Sequence, residues 1–289
     1  MRIYRFDQVL TDTSTQEQVF DSLQVTLLLK KVIEGYNATI FAYGQTSSGK
    51  TYTMEGYEYQ ARGGDKPPKL IIKGENYGLV QNSLREIYKQ LEQKEKDKLS
   101  RTTVSCSMLQ IYKEKIYDLL NNQNKELRIR WNKQEQFSVE NLYSIECKTA
   151  KEAIEVYNNG IKNRVMATHK LNISSSRSHT IFTVTIRTEC MNQYDNVITG
   201  KLQLVDLAGS ERTSQTGNIG EHFKESVDIN KSLLALRKVI LTLSDNTYKE
   251  NKTFVPYRDS KLTSLLKHCL GGNSFCLMVI QYNNNRLHV

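Results

Sequence analysis

Apolar positions along the chain follow two kinds of spacing, which predict both strands and helices. Short apolar, β-prone runs predict strands at 3–9, 37–43, 103–112, 179–188, 201–206 and 276–281. Spacings of three and four residues predict helices at 15–35, from residue 79, at 150–161, at 226–243 and at 257–271. The pattern contains no internal repeat and no coiled-coil heptad.

The first predicted helix has a defined beginning and end. Thr15 and Gln18 have the spacing of a capping box, in which each residue satisfies a backbone N–H of the other. Val19, Leu23 and Leu27 share one face, and glycine at 35 is typical of a helix end. We therefore expect one continuous helix here.

Three connecting segments have a different character. Residues 57–77 contain glycines, two prolines and mixed charge, which predict a long loop, and we expect it to be disordered. Residues 125–147 alternate like the strands of hairpins, and 212–225 predict a polar loop.

Composition narrows the class of partner. The 289 residues suffice for one or two domains, and the net charge of +9 favours an acidic partner such as nucleic acid, an anionic membrane or an acidic protein surface. The five cysteines lack metal-binding spacing, and no apolar run is long enough to span a bilayer. A reducing intracellular compartment is expected, with the cysteines as small buried hydrophobes.

Residues 44–51 carry the clearest chemistry, in the order Gly44, Gln45, Thr46, Ser47, Ser48, Gly49, Lys50 and Thr51. This is the phosphate-binding P-loop spacing, in which backbone N–H groups surround a phosphate, the lysine adds charge and the last hydroxyl can ligate Mg²⁺. The predicted strand before it and helix after it fit the motif. Taken alone, the segment is also compatible with a glycine- and serine-rich surface turn.

Two later segments favour the nucleotide interpretation. The strand at 201–206 ends in Asp206, which is the position of a carboxylate in an Mg²⁺ shell, and Gly209 follows shortly after. Residues 172–179 hold several hydroxyls around Arg177. The adjacent Ser178 and His179 do not suggest a hydrolase pair, because neighbouring strand residues point to opposite faces.

The segments 44–51, 172–179 and 206–211 resemble the P-loop, switch I and switch II of the kinesin motor domain. The resemblance extends over nearly the whole chain. Asn163–Arg164 is similar to the family's approach to switch I, and further matches lie at 6–9, 35–43, 229–233 and 255–263.

The resemblance implies one kinesin motor domain over 1–289 with an α/β, P-loop NTPase fold, in which helices cover both faces of a central, twisted, mostly parallel sheet. It implies an ATP-hydrolysing, microtubule-based motor that uses ATP and Mg²⁺. The whole P-loop and Tyr52 would hold ATP, although Tyr52 can equally be a packing residue. Thr51 and Ser176 would ligate Mg²⁺, with Asp206 behind a water.

The resemblance also implies the catalytic and partner residues. Arg177 and Glu211 would form an ion pair that positions the attacking water, Gly209 would sense the γ-phosphate, and Ser175 belongs to the same site. The helix at 226–243 would carry the signal to tubulin. The tubulin contacts implied are Lys231, Lys252, Tyr257, Arg258 and Lys261. The basic hairpin near 128–133 is either a further contact or a solvated face.

We expect a cytoplasmic, microtubule-associated protein with neither nucleic acid nor membrane as partner; the oligomeric state is not indicated. Kinesin motor domains begin with a strand bearing Arg-x-Arg-Pro and end with a helix and a neck linker, and this sequence lacks both. We therefore expect a gap in the sheet and poor folding of the isolated chain. One hypothesis is a working motor domain, and another is a truncated kinesin-like protein that binds tubulin or nucleotide without movement. A P-loop GTPase is disfavoured because no Asn-Lys-x-Asp motif is present.

Overall fold

The computed structural model describes residues 5–60, 69–71, 76–94, 100–121, 125–131, 137–171, 177–190, 197–211, 221–245, 254–272 and 274–282. The α-helices in these ranges are α1 Gln16–Ser22, α2 Val25–Ile33, α3 Lys50–Glu55, α4 Leu79–Lys94, α5 Ala150–Leu171, α6 Glu221–Ser244, α7 Lys261–Leu265 and α8 Lys267–Gly271. A 3₁₀ turn at Tyr257–Asp259 precedes α7. The strands are β1 Asn37–Gly44, β2 Glu58–Gln60, β3 Lys69–Ile71, β4 Ser100–Tyr112, β5 Lys115–Asp118, β6 Glu126–Leu127, β7 Ile129–Trp131, β8 Phe137–Val139, β9 Ile145–Cys147, β10 His179–Cys190, β11 Val197–Asp206 and β12 Ser274–Gln281.

A single large sheet organises the fold, in the order β12-β1-β11-β10-β4-β5-β6, with β9 also paired to β4. Strand β1 is parallel to both of its neighbours, β11 and β12, and the other described pairings of this sheet are antiparallel. The sheet is therefore mixed, and the expectation that it is mostly parallel was wrong. Connection length accounts for part of this difference, because parallel neighbours need a long crossover whereas β4–β5 and β10–β11 follow each other closely and return antiparallel. Strands β4 and β10 are also antiparallel, although α5 lies between them in the chain.

The two faces of the sheet carry separate hydrophobic cores, as expected for helices on both sides. Along β1, Ile40 belongs to one core and the adjacent Phe41 to the other. Helices α1, α2, α4 and α5 cover the first face, where Leu29 is fully buried. Helices α6, α7 and α8 cover the second face and bury Leu236 and Leu262. Within the described ranges, no helix is both long and apolar enough to cross a membrane.

The predicted helix at 15–35 is two helices. The capping box of Thr15 and Gln18 is confirmed, and Gly35 has a φ of 101° after α2. However, Gln24 is left-handed, with φ 51°, and it breaks the helix between Ser22 and Val25. After this break a different face is buried, so Leu27 is 61% exposed while Leu29 is buried.

Other predicted boundaries also need correction. The strand predicted at 3–9 is not formed at 5–9, where none of the described strands lies alongside to complete the hydrogen bonds. Residues 1–4 are outside the described residues. The loop expected at 57–77 contains the antiparallel pair β2–β3. Helix α6 begins at Glu221, earlier than expected, so the polar loop is shorter at its C-terminal end. On the side away from β1, β12 faces no other described strand.

Candidate active site

The P-loop joins the C-terminal end of β1 to the start of α3, as the sequence predicted. Two of its glycines are required for different reasons. A side chain at Gly44 would collide with the backbone oxygen of Gln281 in β12. Gly49 has open space around it but a φ of 102°, a conformation that L side chains rarely adopt.

Lys50 is the first residue of α3 and is buried, with 6% of its surface exposed. Its Nζ donates to the carbonyl oxygen of Gln45 at 2.8 Å, so the amine lies across the loop. Burial lowers the pKa of Lys50, against the opposing charges of Asp206 and Glu211. A desolvated cation held in this way is suited to an anionic ligand that replaces the missing water.

Asp206 ends β11 beside the P-loop, because the parallel register pairs it with Ala42 of β1. Thr51 Oγ1 donates to Asp206 Oδ2 at 2.7 Å, so two of the predicted metal-site residues are in direct contact. Asp206 Oδ1 and Ser48 Oγ are buried and have no hydrogen-bond partner among the described residues. A carboxylate oxygen and a hydroxyl without partners fit a site completed by Mg²⁺ and its water shell.

A buried ion-pair network behind Asp206 was not predicted. Arg164 of α5 donates to Glu55 of α3 with a nitrogen–oxygen distance of 2.7 Å, and its other terminal nitrogen lies 3.6 Å from Asp206 Oδ2. Arg164 and Glu55 are 2% and 1% exposed. Burial raises the pKa of Asp206, while Arg164, the Thr51 hydrogen bond and Lys50 oppose that rise. The sequence indicated Arg164 only as an approach to switch I and gave no signal for Glu55.

The segment after β11 returns to the P-loop. Ser210 N donates to the carbonyl oxygen of Gly44 at 3.1 Å. The carboxylate of Glu211 accepts from Thr46 N at 2.8 Å and from Thr46 Oγ1. Gly209 lies so close to the P-loop that a side chain at this position would collide with Thr46 Oγ1 and with the Glu211 carboxylate. The predicted switch II residues therefore contact the P-loop directly.

Glu211 is held as a carboxylate. Burial acts to raise its pKa, but the hydrogen bonds from Thr46 and the charge of Lys50 together lower the pKa below its usual value. The contacts described for Glu211 are with Thr46 and not with Arg177, so the expected ion pair stays a prediction. Arg177 lies two residues before the start of β10 and has a 3₁₀-like backbone conformation. Ser175 and Ser176 are outside the described residues.

Ser178 and His179 have separate partners and form no catalytic pair. Gln110 Nε2 donates to Ser178 Oγ at 2.8 Å. His179 accepts from Ala208 N at 3.0 Å through Nδ1, and its Nε2 lies 2.7 Å from Ser232 Oγ in α6. Burial and the charge of Lys50 lower the pKa of His179 to about 3, so the ring is neutral.

The sequence profile of the kinesin motor domain matches residues 1–289. The chain belongs to the kinesin motor domain family.

Relatives of this kinesin motor domain include human kinesin heavy chain isoform 5C, 39% identical over 277 residues, which cover 96% of this chain and 27% of that protein. The Arabidopsis thaliana kinesin-like protein KIN-12C is 36% identical over 282 residues, covering 96% of this chain and 13% of that protein. The solved structure of a fast kinesin superposes with a TM-score of 0.83 at 35% identity, over 96% of this chain and 73% of that one. A Kar3Vik1 motor structure gives 0.75 at 31% identity, over 93% and 64% of the two chains. The chain thus spans less than a third of the length of the human and Arabidopsis relatives. The two solved structures confirm the P-loop NTPase fold of the kinesin motor domain.

Four of the five expected partner residues of the kinesin motor domain lie on elements that cover the second face of the sheet. Lys231 on α6 and Arg258 in the 3₁₀ turn are exposed, while Tyr257 and Lys261 are half-buried. The backbone N of Lys261 donates to Glu114 Oε2 at 2.8 Å. Lys252 lies outside the described residues.

An aromatic residue that the sequence did not single out joins this surface. Trp131 of β7 is 41% exposed and packs edge-to-face on Phe137 of β8. The guanidinium of Arg258 lies 5.6 Å from the Trp131 ring centre, and Lys267 Nζ lies 4.2 Å from it. Trp131, Arg258 and Lys267 therefore connect the β7–β8 hairpin to the 3₁₀ turn and α8.

Tyr52 occupies the third position of α3, and its role stays open. Its side chain is 41% exposed, and its carbonyl oxygen accepts from Gln16 Nε2 at 2.8 Å. An exposed ring next to the P-loop is compatible with adenine stacking. The hydrogen bond from α1 is to the backbone of Tyr52, so it does not distinguish adenine stacking from packing of the ring.

Proposed function

We propose that this kinesin motor domain binds ATP with Mg²⁺, hydrolyses it, and couples the cycle to binding of microtubules. The observation that carries the proposal is the mutual contact of separate motifs at the ends of parallel strands β1 and β11. Thr51 touches Asp206, and Thr46 holds Glu211. Open α/β sheets bind ligands at this edge.

The binding step would use the P-loop together with residues of switch I and switch II. The P-loop backbone and the buried Lys50 would hold the phosphates, with Tyr52 beside the base. Thr51 and Ser176 would ligate Mg²⁺, and Asp206 would act through a water. When bound, Mg²⁺ neutralises negative charge on the phosphate oxygens as the bond to the terminal phosphoryl group breaks.

The hydrolytic step needs Glu211 to change partner. In the geometry described, Thr46 keeps the carboxylate of Glu211 on the P-loop. We infer that a terminal phosphate near Gly209 displaces this contact, after which Glu211 pairs with Arg177 and orients the attacking water. Ser175 lies in the same switch I segment and would contribute its hydroxyl.

Two substitutions separate binding from hydrolysis. Lys50→Ala should abolish retention of nucleotide, because it removes the buried amine that lies across the loop. Glu211→Ala should keep nucleotide binding and lower steady-state ATP turnover at least about a hundredfold, in line with the loss of a positioning group. Exposed residues supply controls, Lys30→Ala and Glu17→Ala. Unchanged ATPase in the Glu211→Ala protein would refute the assignment.

The microtubule-binding surface that we propose consists of Lys231, Lys252, Tyr257, Arg258 and Lys261. Its cations suit the acidic surface of tubulin, and the family relationship supports this partner over nucleic acid or a membrane. Contacts of this kind are screened by salt, so affinity should fall steeply as ionic strength rises. A location in the cytoplasm on the microtubule cytoskeleton follows from the same partner.

Co-sedimentation with microtubules tests the surface. Arg258→Ala/Lys261→Ala should weaken binding severalfold and reduce its salt dependence, because two cations are lost. The matched control is Lys30→Ala/Lys89→Ala, which removes two cations from α2 and α4 on the opposite face of the sheet. Equal affinity of both double variants would place the surface elsewhere. Microtubule gliding driven by the surface-attached domain then distinguishes a motor from a kinesin-like protein that binds without movement.

A further inference from the structure

One buried histidine contacts both the loop after β11, at the candidate phosphate site, and helix α6. His179 is the first residue of β10, and it is 3% exposed. Its Nδ1 accepts from the backbone N of Ala208, which lies between Asp206 and Gly209. Its Nε2 lies 2.7 Å from the hydroxyl of Ser232 on α6, which is also 3% exposed.

The direction of both hydrogen bonds follows from this arrangement. A backbone N–H can only donate, so His179 Nδ1 carries no proton. The neutral ring then carries its proton on Nε2, and Nε2–H donates to Ser232 Oγ. Because burial lowers the pKa of His179 to about 3, this tautomer persists throughout the pH range in which the protein works.

We propose that His179 is a positioning residue that transmits displacement of the Ala208–Gly209 backbone to α6 through Ser232. The two bonded nitrogens belong to one rigid five-membered ring, so the distance between them cannot change when the loop moves. A hydrogen bond of 2.7 Å is lost after a displacement of about 1 Å. Helix α6 must therefore follow the loop, or the contact breaks.

The position of Ser232 gives this contact a functional direction. The preceding residue, Lys231, is exposed and belongs to the proposed microtubule surface, whereas Ser232 points inward. Neighbouring residues of one helical turn thus connect the phosphate loop to the outer surface. This inference rests on the proposed function for its biological use, but the mechanical coupling it describes requires nucleotide alone.

Three substitutions isolate the contact. Ser232→Ala removes the acceptor on α6 and leaves the Ala208 bond intact. His179→Asn keeps an oxygen acceptor near the position of Nδ1 and removes the group that reaches Ser232. Ser232→Thr retains the hydroxyl and should restore wild-type behaviour. Ser244→Ala, an exposed serine on the same helix, is the matched control.

Hydrogen–deuterium exchange is the primary measurement. In the wild-type protein, replacing Mg·ADP with a non-hydrolysable ATP analogue should change exchange both at 207–211 and in α6 from 231 to 244. In Ser232→Ala and His179→Asn the change at 207–211 should remain, while the change in α6 falls to less than about a third. A merely structural role would instead raise exchange in both nucleotide states equally. A wild-type α6 that ignores nucleotide, or a Ser232→Ala protein with the full wild-type response, would overturn the inference.

Turnover gives a second, separate readout. Basal ATPase of Ser232→Ala should stay within about twofold of wild type, while microtubule stimulation of kcat falls about fivefold or more, as expected for a lost coupling contact. Absence of microtubule stimulation in the wild type would refute the proposed function, and the exchange experiment would still decide the inference. If His179→Asn fails to fold, Ser232→Ala and its threonine counterpart still decide it.

Discussion

Replacing Arg164 with methionine should destabilise the fold strongly, although the substitution is far from any expected partner surface. The guanidinium is almost completely buried, 2.7 Å from Glu55 and 3.6 Å from Asp206. Methionine fills a similar volume but carries no charge. The variant therefore leaves two carboxylates in a site with little water, where each had relied on the same cation.

The size of the effect follows from burial. Breaking a buried ion pair by removing one partner costs about 3–5 kcal/mol, because the remaining charge is left uncompensated. That is a large share of a typical free energy of unfolding of roughly 5–15 kcal/mol. If the uncompensated charge is the cause, neutralising Glu55 should recover part of the loss. Arg164→Met/Glu55→Gln should thus be more stable than Arg164→Met alone, by about 1–3 kcal/mol.

Urea unfolding near neutral pH, without nucleotide or Mg²⁺, measures these free energies directly. Lys162→Met is the matched control, because Lys162 lies two residues away on α5 with its side chain exposed, and it should change stability by less than about 0.5 kcal/mol. An Arg164→Met protein as stable as this control would refute the reasoning. So would a double variant that shows the simple sum of two losses, since additivity means that the two charges do not interact.

Two further predictions concern His179 and Trp131. The pKa of His179 is about 3 in the folded protein, below its ordinary value of about 6.5, so its stabilising contribution is complete above about pH 6.5 and is lost as the pH falls toward 3. Between about pH 7.5 and 5.5, wild type should therefore lose about 1 kcal/mol more unfolding free energy than His179→Asn, measured by urea titration at each pH; parallel losses would contradict the burial of a neutral ring. Trp131→Ala should weaken microtubule binding about two- to fivefold, because cation–π contacts of about 0.5–1 kcal/mol hold Arg258 and Lys267 in place. Trp131→Phe, which keeps a ring, should lose less in the same co-sedimentation assay, and equal affinity of all three proteins would refute this role.

The nucleotide site could be predicted from sequence because its determinants are local. A strand, a glycine-bounded loop and a helix start occupy one continuous segment, so positions 44–51 fix their own geometry. The position of Asp206 in the site could be predicted because few roles other than metal or phosphate chemistry explain an acidic residue at the end of a buried strand. The contact between Thr46 and Glu211 was not foreseen, since a family pattern names the residues of a site without giving their partners in one particular state.

The missed features are tertiary. Glu55 is the last residue of the short helix α3, and nothing in the sequence indicated that its carboxylate is buried and paired with Arg164 of α5. Strand direction was also misjudged, because apolar alternation records which residues are buried and carries no information on parallel or antiparallel pairing. The break at Gln24 lies within a continuous helical pattern of apolar residues. It can be recognised only in the structure, where α1 and α2 bury different faces.

The distribution of charge in the site is consistent with the proposal that a polyphosphate binds together with Mg²⁺. Lys50 and Arg164 supply two buried cations, while Glu55, Asp206 and Glu211 supply three carboxylates around the same loop. A polyphosphate alone would add negative charge to a region where carboxylates already exceed cations, and burial already works against ionised Asp206. A divalent cation beside Thr51 and Asp206 would reverse that balance and would use the oxygen of Asp206 that has no hydrogen-bond partner among the described residues. On the proposed function, the metal would thus offset the charge that the phosphates add to the site.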